Sequence, residues 1–361
     1  MKSTAGNSRA WRIADLIGGL VLIYAAVFNG VYAVYPFFYG DDLVRSFLMT
    51  MFFIAVGTTV SHWFFRLFGE VSRLLCIPVA GWRFVSFRFG RGRGVRCLLD
   101  PPPLVDGECP CVCYLLCGGL SNLLLGILLI VIGFFTPIGD FLRFFGFLAL
   151  RYAWRCFIPR GCNDGFWLMS LGENPKRSAV IRLLRKLAVE TERAETYADF
   201  SEETVNALME YECGDFGCGD EVIPLYYRAH YLFAREDRAG AAVVYRMIAE
   251  SAAPDLWKGR AYCELFYAAI LDGAPKEELS ALYERVSRSR KNPKDNTSRR
   301  RLKYAVRLLY EKDEPRAEEE YQALLRLYET EPFRAQAALD LREANRVREL
   351  YGSGTDTEVV S

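Results

Sequence analysis

Histidine is nearly missing from this chain: among its 361 residues only His62 and His230 are histidines. An imidazole-based metal centre or acid–base pair has almost nothing to draw on. Lysine is nearly missing from the first half, where Lys2 stands alone up to about residue 160. Net charge is missing too. Lysines and arginines number 45 against 44 aspartates and glutamates, leaving +1, which gives no reason to expect a nucleic-acid partner. The first apolar run is too long for a signal-peptide core and lacks a small-residue cleavage site, so no cleavable leader is expected. Cysteine is not scarce, with 11 residues. In a long chain without a leader these read as reduced, and many lie in or beside apolar runs, where a thiol packs as a small hydrophobe.

What is present divides into two halves. Hydrophobic residues make up 52% of the chain, and they concentrate before about residue 160. Four runs there, of about 17 to 25 residues, are long enough to cross a bilayer: roughly 13–35, 47–68, 112–135 and 141–157. The last is the weakest, because Arg143 and Arg151 interrupt it. Arginines cluster in the N-terminal tail, between the second and third runs, and past the fourth. The positive-inside rule then places both termini and the long connection in the cytoplasm of a multi-pass cell-membrane protein. In that connection W-R-F-V-S-F-R-F-G, Trp82 to Gly90, alternates like a strand. A G-R-G-R-G turn and V-R-C-L-L follow, which predicts a β-hairpin at the cytoplasmic membrane face.

Three short motifs stand in order along this half. L-F-G-E-V-S-R places Gly69, Glu70 and Arg73 at the end of the second run. G-G-L-S-N opens the third, and Gly118, Asn122 and Gly126 recur every fourth residue, forming one helix face for close packing and a cross-helix hydrogen bond. N-D-G, Asn163 to Gly165, follows the fourth; taken alone it is a common turn. Together the motifs resemble the site-2 protease family of intramembrane zinc metalloproteases. That family carries H-E-x-x-H on its first core helix, a G-P-x-x-N-type motif on the second and a D-G aspartate ligand near the third. The aromatic-arginine-phenylalanine strand and the C-L-L-D-P-P segment are similar to bacterial relatives, and the resemblance covers about residues 45 to 190.

The resemblance implies a degenerate member. Glu70 stands at the general-base position, Gly69 and Arg73 stand where the two histidines belong, and Asp164 matches the third ligand. A catalytic zinc needs three protein ligands, so neither zinc nor another cofactor is expected. Arg73 is expected instead to pair with Asp164, Glu70 or both. His62 reads as a span residue hydrogen-bonded within the bundle, and His230 as a helix-face residue. C-P-C-V-C-Y-L-L-C, Cys109 to Cys117, is dense in thiols and places Cys113 and Cys117 on one face. Its spacing is not a common zinc pattern, and its thiols, like those of C-G-D-F-G-C from Cys213 to Cys218, read chiefly as filler or loop.

The second half has helical periodicity and repeats at about 38 residues. Tyr245, Tyr283 and Tyr321 keep the step, as do Ala241, Leu279 and Ala317, then Ala229, Tyr267 and Ala305, with turns at Asp237, Pro275 and Asp313. This pattern resembles tetratricopeptide-type solenoids, whose stacked helix pairs present a concave face to proteins. Ala229, Ala241, Tyr267, Tyr283, Ala305 and Tyr321 are expected to be buried between helices. The run from Arg288 to Arg301 reads as a solvated loop, or one touching anionic lipid.

The expected fold is all-α: a polytopic membrane helical bundle over 1–165, a soluble α-helical repeat domain over 166–352, and a disordered tail over 353–361. The expected function is binding, by an inactive scaffold that holds a membrane protein or peptide in its core and a cytoplasmic protein on its repeats. The alternatives are an active zinc metalloprotease with unorthodox ligands, or a plain membrane anchor for the repeats.

Overall fold

The computed structural model describes residues 9–38, 43–90, 94–159, 163–174, 177–288, 296–330 and 334–358. They are mostly helical, with one two-stranded sheet. Two compact units result, 1–185 and 186–361. The division falls inside a helix, some way past the residue 165 boundary that composition suggests.

In the first unit α1 (Arg9–Phe38) and α2 (Leu43–Ser72) are followed by one 3₁₀ turn, Arg73–Leu75, and the short α3 (Cys76–Ala80). Strands β1 (Arg83–Gly90) and β2 (Gly94–Asp100) form the hairpin, then come α4 (Cys111–Gly133), α5 (Gly139–Phe157), α6 (Asp164–Glu173) and α7 (Ser178–Arg193). Three segments, Ala10–Val34, Phe47–Ala80 and Cys111–Gly133, are long and apolar enough to cross a membrane. Their outer faces leave Leu16, Leu20, Tyr24, Phe52, Leu124 and Leu128 exposed. A surface of that kind is costly in water and suited to lipid chains.

The fourth expected run, α5, is not among these three. It is 19 residues long and carries Asp140, Arg143, Arg151 and Arg155. Two of its arginines turn inward, while Arg155 stays exposed. Arg143 meets Asp140 at 2.5 Å, donates to Asn29 Oδ1 at 3.0 Å, and reaches the Gly133 carbonyl at 3.0 Å. Arg151 lies 3.7 Å from the buried Asp15 of α1. These partners let a polar helix pack against α1 and α4.

The hairpin is antiparallel, pairing Arg83 with Asp100 and Gly90 with Gly94, with one irregularity between Phe84 and Ser86. The tip of its G-R-G-R-G turn, 91–93, lies outside the described residues. Trp82 enters β1 fully buried.

The second unit contains a 3₁₀ turn (Tyr197–Asp199), α8 (Glu202–Glu210), α9 (Gly219–Ala234), α10 (Arg238–Glu250), α11 (Asp255–Leu271), α12 (Lys276–Arg288), α13 (Thr297–Ala305) with a π turn at Val306–Tyr310, α14 (Glu314–Thr330) and α15 (Arg334–Glu358). α9 packs on α10, α11 on α12, and α13 on α14. Asp237 caps α10 by accepting from Gly240 N at 2.8 Å. The residues before two of the expected turns, Glu236 and Lys312, both adopt left-handed backbone, with φ of 66° and 58°; they lie two steps of about 38 residues apart.

Ala229, Ala241, Tyr267, Ala305 and Tyr321 are buried, but Tyr283 is 48% exposed, against expectation. The apolar stripe of α12 is Leu279, Leu282 and Val286, and Tyr283 lies at its edge. Its ring still meets Phe266 at 5.8 Å, as Tyr321 meets Tyr304 at 5.3 Å.

Two other readings change. Arg301, expected in a solvated run, is buried in α13, where it pairs with Glu264 of α11 and, at 3.2 Å, with Asp340 of α15; residues 289–295 of that run lie outside the described set. His230, expected on a helix face, lies in α9 and is 1% exposed, with Nδ1 2.6 Å from Tyr245 Oη. Burial and nearby Arg301 push its imidazole down to about 3. The backbone is helical through Glu358, past residue 352, where the repeat domain was expected to give way to a disordered tail, and 359–361 lie outside the described residues.

Candidate functional site

Arg73 begins the 3₁₀ turn that ends α2, one turn after Glu70. Its Nη1 lies 3.2 Å from Glu70 Oε2, and its Nη2 lies 3.0 Å from Asp164 Oδ2. The three side chains are 12%, 14% and 18% exposed. One guanidinium therefore bridges two carboxylates from distant parts of the chain. Its planar fork suits this, since each edge can address a separate acid while the charge stays fixed. Tyr114 of α4 adds a third contact. Its hydroxyl accepts from Arg73 Nη1 at 3.1 Å, and its ring lies 4.5 Å beneath the guanidinium.

The N-D-G motif has a separate reason at each residue. Asn163 caps α6 by accepting from Phe166 N at 3.0 Å, while its amide donates to the Arg155 and Ile158 carbonyls at 2.9 and 2.7 Å. Asp164 is the first residue of α6, where the helix dipole favours a carboxylate. Gly165 packs so closely that a Cβ would lie 2.2 Å from the Phe157 carbonyl oxygen. The cap fixes the start of α6, the glycine seats it against the end of α5, and the aspartate is delivered to Arg73.

On α4 the Gly118, Asn122 and Gly126 face divides between two neighbours. Gly69 of α2 meets it at Gly118: a Cβ on Gly69 would lie 3.0 Å from Asn122 Nδ2 and 3.2 Å from the Gly118 carbonyl oxygen. Asn122, fully buried, donates to the Phe65 carbonyl of α2 at 3.1 Å and to its own Gly118 carbonyl at 2.8 Å. Gly126 instead faces α5, where a Cβ would lie 2.9 Å from the Gly146 carbonyl oxygen. Ser121 donates to Ser72 Oγ at 2.9 Å, and Ser72 donates to the Cys117 carbonyl at 3.0 Å. Gly69 is thus a packing residue here. A histidine side chain would collide with α4.

The hairpin joins the same centre. The Cys97 amide of β2 donates to Glu70 Oε2 at 3.0 Å, and burial, then the Glu70 charge, push the Cys97 thiol up to about 11. Trp82 stacks on Tyr114, with ring centroids 4.6 Å apart and an interplanar angle of 16°. The Tyr114 ring thus meets an indole and two guanidinium groups, since Arg185 also lies over it at 4.8 Å. Sequence reasoning missed Tyr114 and the Cys97 amide. Neither carries a spacing signal, because their roles depend on how the hairpin and α4 fold against α2.

His62 lies exposed on α2, 6.1 Å from the Tyr152 ring; a hydrogen bond within the bundle was expected, and among the described residues it makes none. His230 belongs to the other unit. Among the described residues Cys213 and Cys218 gather no third potential ligand, whereas Cys76, Cys113 and Cys117 converge. What the centre can do is hold helices: the guanidinium fixes α2 to α6 and α4, and its charge is taken up by two acids. No family model matches the chain, no curated protein matches it, and no solved structure matches it.

Proposed function

We propose that this chain is a multi-pass membrane protein with a site-2-protease-like core in which an arginine-centred ion cluster stands in place of zinc, and that it works as a binding or regulatory scaffold. The observation that carries the reading is Arg73 between Glu70 and Asp164. Those positions correspond to the second histidine, the general base and the aspartate ligand of the family. A cation that never releases its proton at physiological pH neither binds zinc nor activates water. Gly69, packed on Gly118 and Asn122, supports the same conclusion from the first-histidine position. In this reading α5 is a fourth, internally paired span, both termini and the hairpin are cytoplasmic, and the helix pairs of the second unit form a tetratricopeptide-like surface for a cytoplasmic protein.

The test uses the purified full-length protein in lipid bilayers with zinc and a panel of single-span peptides, alongside Glu70→Gln. The expected result is no cleavage that depends on Glu70, and metal content unaffected by Asp164→Ala. Glu70-dependent cleavage, with zinc lost on Asp164→Ala, would overturn the scaffold reading in favour of an enzyme.

A further inference from the structure

Three thiols meet where α3 begins beside α4. Cys76 opens α3, and Cys113 and Cys117 lie one turn apart on α4. Their Sγ atoms form a nearly equilateral triangle, 3.4 Å between Cys76 and Cys113, 3.6 Å between Cys76 and Cys117, and 3.7 Å between Cys113 and Cys117. All three are free thiols. Cys76 is buried, and the other two are partly open.

The size of this triangle distinguishes its uses. A disulfide needs sulfurs about 2.04 Å apart, so any pair here would have to close by well over an ångström and would leave the third thiol out. Three thiolates around one ion at about 2.3 Å stand roughly 3.8 Å apart in a tetrahedral arrangement, or roughly 4.0 Å in a trigonal one. The observed triangle reaches either by opening a few tenths of an ångström. An all-sulfur set selects soft ions such as Zn²⁺ and Cu⁺ and rejects Mg²⁺ and Ca²⁺. The neighbouring thiol Cys111 is not part of the set, since it donates to the Ser178 carbonyl at 3.7 Å.

We propose that Cys76, Cys113 and Cys117 form a three-thiolate site for a thiophilic metal ion, Zn²⁺ in the first instance, with the fourth tetrahedral position open. Binding exchanges protons for metal: three thiols and one Zn²⁺ give one zinc tris-thiolate of charge −1 and three released protons. The ion clamps the start of α3, and with it the approach to the hairpin, onto α4. Its ligands include neither Glu70 nor Asp164, so the site does not depend on the ion cluster being a vacated zinc centre.

The experiment titrates reduced full-length protein in detergent with Co²⁺ alone, then adds Zn²⁺. The expected result is a thiolate-to-cobalt charge-transfer absorption that saturates at one ion per chain, is displaced by Zn²⁺, and disappears in Cys76→Ser and in Cys113→Ser/Cys117→Ser. It should persist in Cys213→Ser/Cys218→Ser. A band that survives loss of Cys76, or the absence of a saturating band, overturns the proposal. A second measurement needs no variant: alkylation of native protein, read by mass spectrometry, should show Cys113 and Cys117 protected by Zn²⁺, and equal labelling with and without Zn²⁺ overturns the site.

Discussion

Replacing Arg73 by methionine removes the shared cation while keeping an unbranched apolar stem. In the native structure its guanidinium lies 3.2 Å from one carboxylate and 3.0 Å from the other, and all three groups are at most 18% exposed. At an effective dielectric constant near 20, each pair contributes about 5 kcal/mol of gross attraction. Desolvation of the three ions offsets most of that, and the balance depends on having both partners present. Loss of one partner leaves buried charge uncompensated, which costs about 3–5 kcal/mol, and the cation–π contact with Tyr114 adds about 1 kcal/mol. Arg73→Met is therefore expected to destabilise the first unit by about 4–6 kcal/mol. The triple variant Arg73→Met/Glu70→Gln/Asp164→Asn should recover most of that loss, because no charge is then left alone. Arg73→Lys should fall between, since an ammonium cannot fork to two acids in one plane. Reversible unfolding of the purified protein in mixed micelles, followed by tryptophan fluorescence, measures all three. A loss under 1 kcal/mol for Arg73→Met, or no recovery in the triple variant, would refute the idea that the cluster holds the helices together.

Gly165→Ala is expected to cost about 1–3 kcal/mol as an overpacking change, because the Phe157 carbonyl has no room to retreat without unseating α6; the same micelle unfolding assay reads it. Arg301→Met should leave Glu264 and Asp340 buried without their cation, costing about 3–5 kcal/mol, seen as faster hydrogen exchange in α11 and α15. His230 sets a pH dependence. Its folded imidazole titrates at about 3 and its unfolded one near 6.5. Between those values the unfolded chain binds a proton that the folded one refuses, so the contribution is complete above pH 6.5. It then falls by at most about 1.4 kcal/mol per unit as pH drops towards 3. Hydrogen exchange of α9 and α10 from pH 7 to 5 should show this slope, and His230→Gln should flatten it.

Features written in local periodicity were legible in the sequence. Glu70 and Arg73 are one helical turn apart, so their pairing could be expected, and the alternation of W-R-F-V-S-F-R-F announced a strand. The Gly118, Asn122 and Gly126 face was visible as a packing face, though not that α2 takes one end of it and α5 the other. What was not legible depends on meetings between distant segments. Cys113 and Cys117 show a shared face, but Cys76 joins them only once α3 folds against α4, so the thiol run looked like filler. Composition likewise could not tell that α5 would turn Arg143 and Arg151 towards partners on α1 and α4, or that Arg301, at the end of a basic run, would turn inward while Tyr283, on a buried repeat step, would stay half open.

Glu70 Oε2 serves two partners at once, accepting the Cys97 amide at 3.0 Å while paired with Arg73 at 3.2 Å. A backbone proton of the hairpin is thus tied to the same oxygen that balances the buried cation. β2 cannot lift from α2 without taking a donor from that oxygen, and Arg73 cannot leave without loosening the strand's anchor. The Cys97 amide is consequently a gauge of the helix bundle. Its exchange with solvent registers whether the charges beneath it are still balanced, at a position outside the apolar segments and readable without any change to the protein.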